Sequence, residues 1–232
     1  MIDVLYIKGS VSPNNDEELR YSLRSLSCVK DLGRVFITGE CPNFVKNVIH
    51  TPEKDIGCRM INHWWKVHQT ILKTDISEDF VLMYDDIFFT KEITLSDYPA
   101  YNRGILGTHN TGTPLYRKNL QEAWQWLYDK GHARKDFELH CPIIYNRKNF
   151  LSLENIYKNY IKKETAPAVR SIYGNLFIKE SPFREDLKLR EKESNIGDKE
   201  CFSTSDSSFK YVLSWLKQQY PEPCKYENSI LP

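Results

Sequence analysis

The sequence lacks most of the features that announce a familiar chemistry. Its 10 glycines form no G-x-G-x-x-G run and no Walker-type phosphate loop, and no G-x-S-x-G elbow or H-E-x-x-H zinc motif occurs. The six cysteines, at positions 28, 41, 58, 141, 201 and 224, include no C-x-x-C pair. Zinc-site spacing is therefore absent, and a disulfide framework is not expected at this length. There is no N-x-S/T glycosylation sequon. No apolar run approaches the ~20 residues of a membrane-spanning helix. The run from Phe80 to Tyr84 is cut by Asp85-Asp86. The opening residues, Met1 into Asp3-Val-Leu-Tyr-Ile7, carry no basic n-region, apolar h-region or small-residue cleavage site, so no signal peptide is expected. Charge of one sign is missing as well. Lys+Arg number 32 against 31 Asp+Glu, a formal net charge of +1, which argues against holding DNA by bulk charge. These absences together lead us to expect a reduced, cytoplasmic, globular protein.

What is present suits a single domain. The chain has 232 residues, 41% hydrophobic and 27% charged, with a mean hydropathy of -0.55. That is enough apolar material for a core and too much for a disordered chain. The first half alternates strand and helix. Strands are predicted at Val4 to Ile7, Arg34 to Thr38, Asn47 to His50 and Phe80 to Tyr84. A helix is predicted from Glu17 to Leu26, with Leu19, Leu23 and Leu26 on one face and Asn15 or Asp16 as its N-cap. A second, strongly amphipathic helix is predicted over 58–73. This alternation predicts an open, mostly parallel α/β sheet flanked by helices. The second half reads as more irregular and helical. Helices are predicted at Tyr116 to Tyr128, Phe150 to Tyr160 and Phe209 to Leu216, with Phe137 to Tyr145 as strand or loop. Residues 179–200 carry 13 charges, six basic and seven acidic, and read as a solvated loop or lid.

Four constellations could carry chemistry. Tyr84-Asp85-Asp86 ends the fourth strand, where open α/β sheets bind ligands. Adjacent carboxylates there suit a divalent cation, which uses one or two carboxylates plus substrate phosphates. The alternative is a pair of turn aspartates in Asx-type hydrogen bonds. The segment Asn14-Asn-Asp-Glu-Glu-Leu-Arg-Tyr-Ser-Leu-Arg24 follows the first strand and Gly9-Ser10. Its helix N-terminus offers free N–H groups to an anion, and Arg20 and Arg24 lie one turn apart, within reach of a diphosphate. The competing reading is a surface helix with Asp16 paired to Arg20. His140, in Phe137-Glu-Leu-His-Cys-Pro142, reads as a base, a metal ligand or a hydrogen-bonded core histidine. His63 and His68 are five apart on a helix and do not form a metal pair. Phe202-Ser-Thr-Ser-Asp206 offers Ser205 or Asp206 as an N-cap, or Asp206 as a further acidic ligand beside Asp85-Asp86.

Taken in order, these segments resemble the Stealth family of nucleotide-sugar-dependent sugar-phosphate transferases, which includes bacterial capsule polymerases and the lysosomal-enzyme GlcNAc-1-phosphotransferase. Asp3-Val-Leu-Tyr-Ile7 with Gly9 is similar to the opening strand and W-V-N-G segment. Asp16-Glu-Glu-Leu-Arg-Tyr-Ser-Leu-Arg-Ser-Leu26 keeps nearly every position of the N-D/E-E-L-R-Y-S-L-R-S motif. Val35-Phe-Ile-Thr-Gly39 resembles I-x-I-V-T-N, and Phe80-Val-Leu-Met-Tyr-Asp-Asp-Ile-Phe88 resembles F-x-Y-x-N-D-D. Leu139-His-Cys-Pro142 with Arg147 resembles A-H-x-P, and Cys201 to Asp206 resembles C-x-N-D. Pro221-Glu-Pro-Cys-Lys-Tyr-Glu227 resembles the closing F-P-x-P-S-x-F-E. The chain departs from the family at Tyr84 and Ser205, each in place of Asn, and at Tyr6-Ile-Lys8, in place of Trp-Val-Asn. It looks similar to small Stealth-like proteins of phage and bacteria.

The resemblance implies a GT-A-like fold in one domain over 1–232, with 1–100 holding the nucleotide sugar and 101–232 holding the acceptor and closing the site. It implies that Asp85, Asp86 and Asp206 hold Mg²⁺ or Mn²⁺, that Asp86 is also catalytic, and that His140 is an acid/base or phosphate contact. Arg20 and Arg24 are implied in donor binding, together with Gly9 and Asn15 at the same edge. Arg170 is added from its chemistry as a candidate phosphate clamp, against an ordinary surface arginine. The expected activity is sugar transfer from a nucleotide-diphosphate sugar to a hydroxyl of a saccharide or of a hydroxymethylated DNA base. Sugar-1-phosphate transfer is the first alternative and a non-catalytic nucleotide-sugar-binding module the second. A metal-dependent nuclease or phosphatase ranks last. Neither a membrane span nor an obligate protein partner is expected, and the location would be cytoplasmic, that of the host if phage-encoded.

Overall fold

The computed structural model describes residues 1–10, 12–109, 112–190, 192 and 195–228. Its first half runs β1 (Ile2–Lys8), α1 (Glu17–Ser25), β2 (Leu32–Gly39), β3 (Ile49–Thr51), α2 (Arg59–Lys73), β4 (Asp79–Tyr84) and β5 (Ile87–Phe89). The second half runs α3 (Pro114–Asp129), β6 (Ile143–Asn146), α4 (Arg147–Ser152), α5 (Glu154–Tyr157), α6 (Val169–Phe177), β7 (Cys201–Ser203) and α7 (Phe209–Gln219). The main sheet has the order β3-β2-β1-β4-β6. Its first four strands are parallel, and β6 joins β4 antiparallel. The predicted open, mostly parallel sheet flanked by helices is what the chain forms. Among the described residues no helix is long and apolar enough to cross a membrane.

Strand alternation explains the layers. Leu5 of β1 and Phe80 and Leu82 of β4 face one way, onto Met60, Ile61, Trp64, Val67 and Ile71 of α2. Val4 and Tyr6 of β1 and Val81 and Met83 of β4 face the other, onto Leu19 and Leu23 of α1. Each central strand is thus apolar on both faces, the pattern of a parallel strand covered by helices on both sides. The β1–β4 register pairs Ile7 with Tyr84. The two strands leave the sheet together, so Gly9 and Asp85 emerge at the same carboxyl edge.

A second, two-stranded ribbon pairs β5 with β7, Ile87 opposite Ser203. The Thr204 N–H donates to the Asp86 carbonyl at 3.1 Å, which brings the two acidic segments together from 118 positions apart in the chain. Neither strand of this ribbon was predicted, nor was α6. The predicted Phe150 to Tyr160 helix is broken into α4, α5 and a short 3-10 turn at Lys158–Tyr160. Phe137 to Pro142 is irregular, and only Ile143–Asn146 is strand. The third strand begins later than predicted because Asn47 is left-handed, with φ 55°. Asp16 is the N-cap residue of α1, as predicted, while the predicted cap of α7 is corrected. Asp16 precedes α1 in a left-handed conformation and makes no side-chain cap bond. Ser208, not Ser205 or Asp206, precedes α7. The charged stretch 179–200 is not a free solvated loop. Leu187, Leu189 and Ile196 are buried, and Arg184 pairs with Glu200. Glu191, Glu193 and Ser194 of that stretch lie outside the described residues.

Candidate active site

A cavity of about 940 Å³ opens at the carboxyl ends of β1 and β4, where an α/β sheet presents its ligands. Both halves of the chain line it. Of the predicted site residues, Gly9, Asp85, His140 and Arg170 face it, while Asn15, Arg20, Arg24, Asp86 and Asp206 are not among its lining residues. A Cβ added at Gly9 would meet no protein atom within 4 Å, so the backbone there stands open.

Asp85 and Asp86 form the turn between β4 and β5. The buried Lys8 ammonium lies 2.9 Å from Asp16 Oδ1 and 3.5 Å from Asp85 Oδ2. Burial and the neighbouring Asp86 charge push the Asp85 carboxyl up to about 6, against the pull of Lys8. Asp86 Oδ2 accepts from Ser203 Oγ at 3.0 Å and lies 3.6 Å from Lys188 Nζ. Asp86 Oδ1 is buried and has no hydrogen-bond partner among the described residues. Glu18 on α1, 5% exposed, joins this acidic end. Burial pushes its carboxyl up to about 7, the charges of Asp85, Asp86 and Asp206 adding to the effect and a hydrogen bond from Asn14 opposing it. Asp206 itself is exposed, and its carbonyl accepts from Asn14 Nδ2 at 3.3 Å.

These oxygens fit a hard divalent cation in one respect. The buried, unpartnered Asp86 Oδ1 is the kind of ligand Mg²⁺ uses when substrate phosphates supply the rest. They do not make a cage of their own: among the described residues no group of three or more His, Cys, Asp or Glu could hold a metal ion. Any cation here would need further oxygens from a bound ligand or from water.

The other end of the cavity is organised by His140. Its Nδ1 lies 2.9 Å from Asp186 Oδ2, and its backbone N–H donates to Asp186 Oδ1 at 2.9 Å. Arg103 stands behind, with Nη1 3.8 Å from Asp186 and Nε donating to the buried Asp136 at 2.8 Å. Burial alone would raise the Asp186 carboxyl. The His140 hydrogen bonds and charge, with Arg103 assisting, hold it well below the usual carboxylate range.

Arg170 is not a surface arginine. It is 2% exposed on α6, and Nη2 donates to the Cys141 carbonyl at 2.9 Å. Its Nε and Nη1 are buried without a partner among the described residues. The guanidinium lies 5.9 Å from the centre of the Tyr84 ring. Nearby Glu138, also facing the cavity, accepts from the Ser171 N–H and Oγ at 2.9 and 3.1 Å. Burial raises its carboxyl and Arg170 opposes that rise. Below them Tyr84 OH meets His63 Nδ1 at 3.1 Å. Burial, then the charges of Arg170 and Arg59, push His63 down to about 3, so it is neutral. His68 packs on Trp64 with ring centroids 5.0 Å apart, so the two histidines serve different surroundings, as their spacing predicts.

Arg20 and Arg24 are corrected. Both guanidinium groups are engaged by Glu227: Arg20 through Nη1 at 2.7 Å, Arg24 through Nε and Nη2 at 2.7 and 2.8 Å. Arg20 also bonds Glu17, not Asp16, at 2.8 Å, and stacks 4.0 Å over Phe44. They hold the end of the chain against α1, away from the cavity. The sequence reading missed Lys8, Glu138, Asp186 and Lys188. Two of these carried a signal. Lys8 is a lone cation ending an apolar strand, and Glu138 precedes His140 by two residues, which puts both on one side of an extended segment.

No protein-family model matches the chain, and no curated protein matches it in sequence. Among solved structures it is similar to the galactosyltransferase LgtC in complex with donor and acceptor sugar analogs. That likeness has a TM-score of 0.51 at 8% identity and covers 97% of this chain and 98% of that one. An active-site variant of LgtC gives a TM-score of 0.50 at 8% identity over the same shares of both chains. A glycosyltransferase involved in the glycosylation of the major capsid of PBCV-1 superposes more loosely, with a TM-score of 0.48 at 9% identity over 95% and 99% of the two chains. What the chain shares with LgtC at this identity is the fold, a GT-A-like, mostly parallel sheet flanked by helices.

Proposed function

We propose that the chain is a glycosyltransferase that moves a sugar from a nucleotide-diphosphate sugar to an acceptor hydroxyl. The observation that carries this reading is the cavity at the β1 and β4 edge. Asp85 lines it, with Asp86 next in the chain just behind the wall, and so does His140, bound to the Asp186 carboxylate. The fold shared with LgtC, which was crystallised with donor and acceptor sugar analogs, supports it. The resemblance to the Stealth motifs supports a nucleotide-sugar donor.

The donor lies over Gly9, where a side chain would occupy its space, with its diphosphate toward Asp85, Asp86 and Lys188. Mg²⁺ or Mn²⁺, bound chiefly through Asp86 with Asp85 and Asp206 assisting, would neutralise charge on the leaving phosphate. Lys188 adds fixed positive charge at the same place, and Arg170 adds its own from the cavity wall. His140 Nε2 takes the proton of the acceptor hydroxyl. The acceptor is a saccharide. A hydroxymethylated base in DNA is the rival, and a duplex affinity that falls steeply with salt would favour it.

Sugar-1-phosphate transfer is the second reading, favoured by the order of the Stealth-like motifs. The products separate the two. Attack at the anomeric carbon releases a nucleoside diphosphate, and attack at the β-phosphorus releases the monophosphate. The test is a thermal-shift screen of nucleotide sugars with Mg²⁺ or Mn²⁺, because a ligand that binds the native state raises its apparent stability. The nucleotide released from each hit is then identified. A screen in which no nucleotide sugar raises the melting temperature overturns the reading.

A further inference from the structure

We propose that Asp186 is the positioning residue for His140, fixing the ring so that Nε2 stands bare toward the acceptor. This rests on the glycosyltransferase reading above. Both Asp186 oxygens serve one residue: Oδ2 meets His140 Nδ1 at 2.9 Å and Oδ1 accepts the His140 backbone N–H at 2.9 Å. A side chain held at two points by a single partner sets both the place and the rotation of that partner's ring. Asp186 is in turn held. Arg103 Nη1 lies 3.8 Å from it, and Arg103 Nε is anchored on Asp136, which also accepts the Glu138 N–H at 2.9 Å. The chain Asp136–Arg103–Asp186–His140 therefore ties the charged 179–200 stretch to the segment that carries the base.

The chemistry follows from donor and acceptor rules. An ionised carboxylate only accepts, so the hydrogen between Asp186 and His140 resides on Nδ1. The neutral ring then has its lone pair on Nε2. No hydrogen bond to Nε2 occurs among the described residues, and the ring is part-exposed at the cavity wall. In the transfer step the acceptor O–H bond breaks and its proton goes to Nε2. The acceptor oxygen forms a bond to the anomeric carbon. The bond from that carbon to the phosphate oxygen breaks, its electron pair leaving on the diphosphate. Asp186 keeps its charge throughout and faces the imidazolium that results, while Arg103 keeps Asp186 in place.

The test has two readouts. In protein labelled with ¹⁵N-histidine, the neutral form of the His140 ring is expected to carry its hydrogen on Nδ1 and none on Nε2. Asp186→Asn puts an amide N–H against Nδ1 and should invert that pattern. Its kcat should fall about 10²- to 10⁴-fold, the usual worth of a general base, with the KM for the donor within about twofold. Asp186→Glu keeps a carboxylate, so it should retain the wild-type tautomer and recover part of kcat. A neutral wild-type ring with its hydrogen on Nε2 overturns the proposal, as does an Asn variant with unchanged kcat. If Asp186→Asn does not fold, the wild-type tautomer and Asp186→Glu carry the same decision. A chain that turns over no nucleotide sugar defeats the glycosyltransferase reading, and the ring-nitrogen signals still judge Asp186.

Discussion

Arg24 and Glu227 are 203 residues apart in sequence and face each other as a buried two-pronged pair, Nε to Oε1 at 2.7 Å and Nη2 to Oε2 at 2.8 Å. The remaining Arg24 donor, Nη1, reaches the Tyr220 and Pro221 carbonyls at 2.9 and 3.2 Å. Glu227 Oε1 also accepts the Cys224 N–H at 3.0 Å, so the last turn of the described chain is pinned from inside. Asn228 N–H then donates to the Phe44 carbonyl at 2.6 Å, fixing the same segment against the loop after β2. The arginines of the α1 motif and the glutamate of the closing motif are thus two halves of one clasp. This explains why basic residues so near the carboxyl edge of the sheet do not reach the cavity.

That clasp is expected to govern stability. Burial would raise the Glu227 carboxyl, but Arg24, the Cys224 N–H and Arg20 hold it down to about 2. A carboxyl lowered in the folded state contributes stability that is present above its unfolded value of about 4.5 and is lost as pH falls through about 2. Wild-type protein should therefore lose stability between pH 4.5 and 2 in a phase that Glu227→Gln lacks. At neutral pH, Glu227→Ala should cost about 3–5 kcal/mol, because it leaves the shielded Arg24 without its anion and Arg20 with Glu17 alone. Denaturant unfolding checks both. If Glu227→Ala unfolds like wild type, the clasp is not a stabilising element.

The sheet was legible and the ribbon was not, for a physical reason. β1, β2, β4 and α2 carry strong local periodicity, because buried parallel strands and an amphipathic helix each repeat one pattern over many residues. β5 and β7 are three residues each, and they become strands only by pairing with one another across the chain. The site divides in the same way. Asp85 and Asp86 announce themselves as adjacent acids after an apolar strand. Asp186 lies in a run of 13 charges, where nothing local distinguishes the one that turns inward. Arg20 and Arg24 misled for the converse reason: the helix spacing was right, but their partner lies at the other end of the chain. Arg170 looked ordinary because its burial depends on α6, which no local pattern predicted.

Glu18 supplies a second dependence on pH, of opposite sign. Its carboxyl is raised from the usual 4.5 to about 7, so the native state holds a proton that the unfolded chain has released. Stability should fall as pH rises from about 4.5 to 7, by up to about 1.4 kcal/mol per pH unit for this group. Glu18→Gln removes the titration while keeping the shape. The variant should match wild type at pH 4.5 and melt at a higher temperature than wild type at pH 8. Melting curves across that range decide it. A variant less stable than wild type at pH 8 would show that the ionised Glu18 is well compensated.

Asp86 Oδ1 is a buried carboxylate oxygen at the paired aspartates that lacks a hydrogen-bond partner among the described residues. Asp86→Asn is nearly isosteric and can still accept from Ser203, so the fold should survive, with a melting temperature within a few degrees of wild type. Transfer should drop by about 10²-fold or more, the rate equivalent of about 3 kcal/mol of lost charge stabilisation. Chelation of wild-type protein should have the same effect, and adding Mg²⁺ or Mn²⁺ should reverse it. Rates measured with and without EDTA settle the cation, and rates of the Asn variant settle the residue. Full turnover in EDTA would assign the charge stabilisation to Lys188 and Arg170 alone.

Arg170 should show stability and activity moving in opposite directions. A guanidinium held at 2% exposure, with Nε and Nη1 unpaired among the described residues, carries a desolvation cost of about 1–3 kcal/mol for each polar group left without a partner, against which the charge of nearby Glu138 works. Methionine has similar length and no such donors. Arg170→Met should therefore be as stable as wild type or more so, while donor affinity and turnover fall at least about tenfold, the worth of about 1.4 kcal/mol. Glu138, already raised by burial, can take a proton when its cationic neighbour is gone, which limits the damage to the fold. Arg170→Lys should not restore activity, since an ammonium cannot both bond the Cys141 carbonyl and present a planar fork to an oxyanion. Unfolding curves and initial rates on the same preparations test this. A methionine variant that unfolds more readily than wild type would make Arg170 a structural residue, held by its Cys141 bond and the Tyr84 ring, and not a charge kept for a ligand.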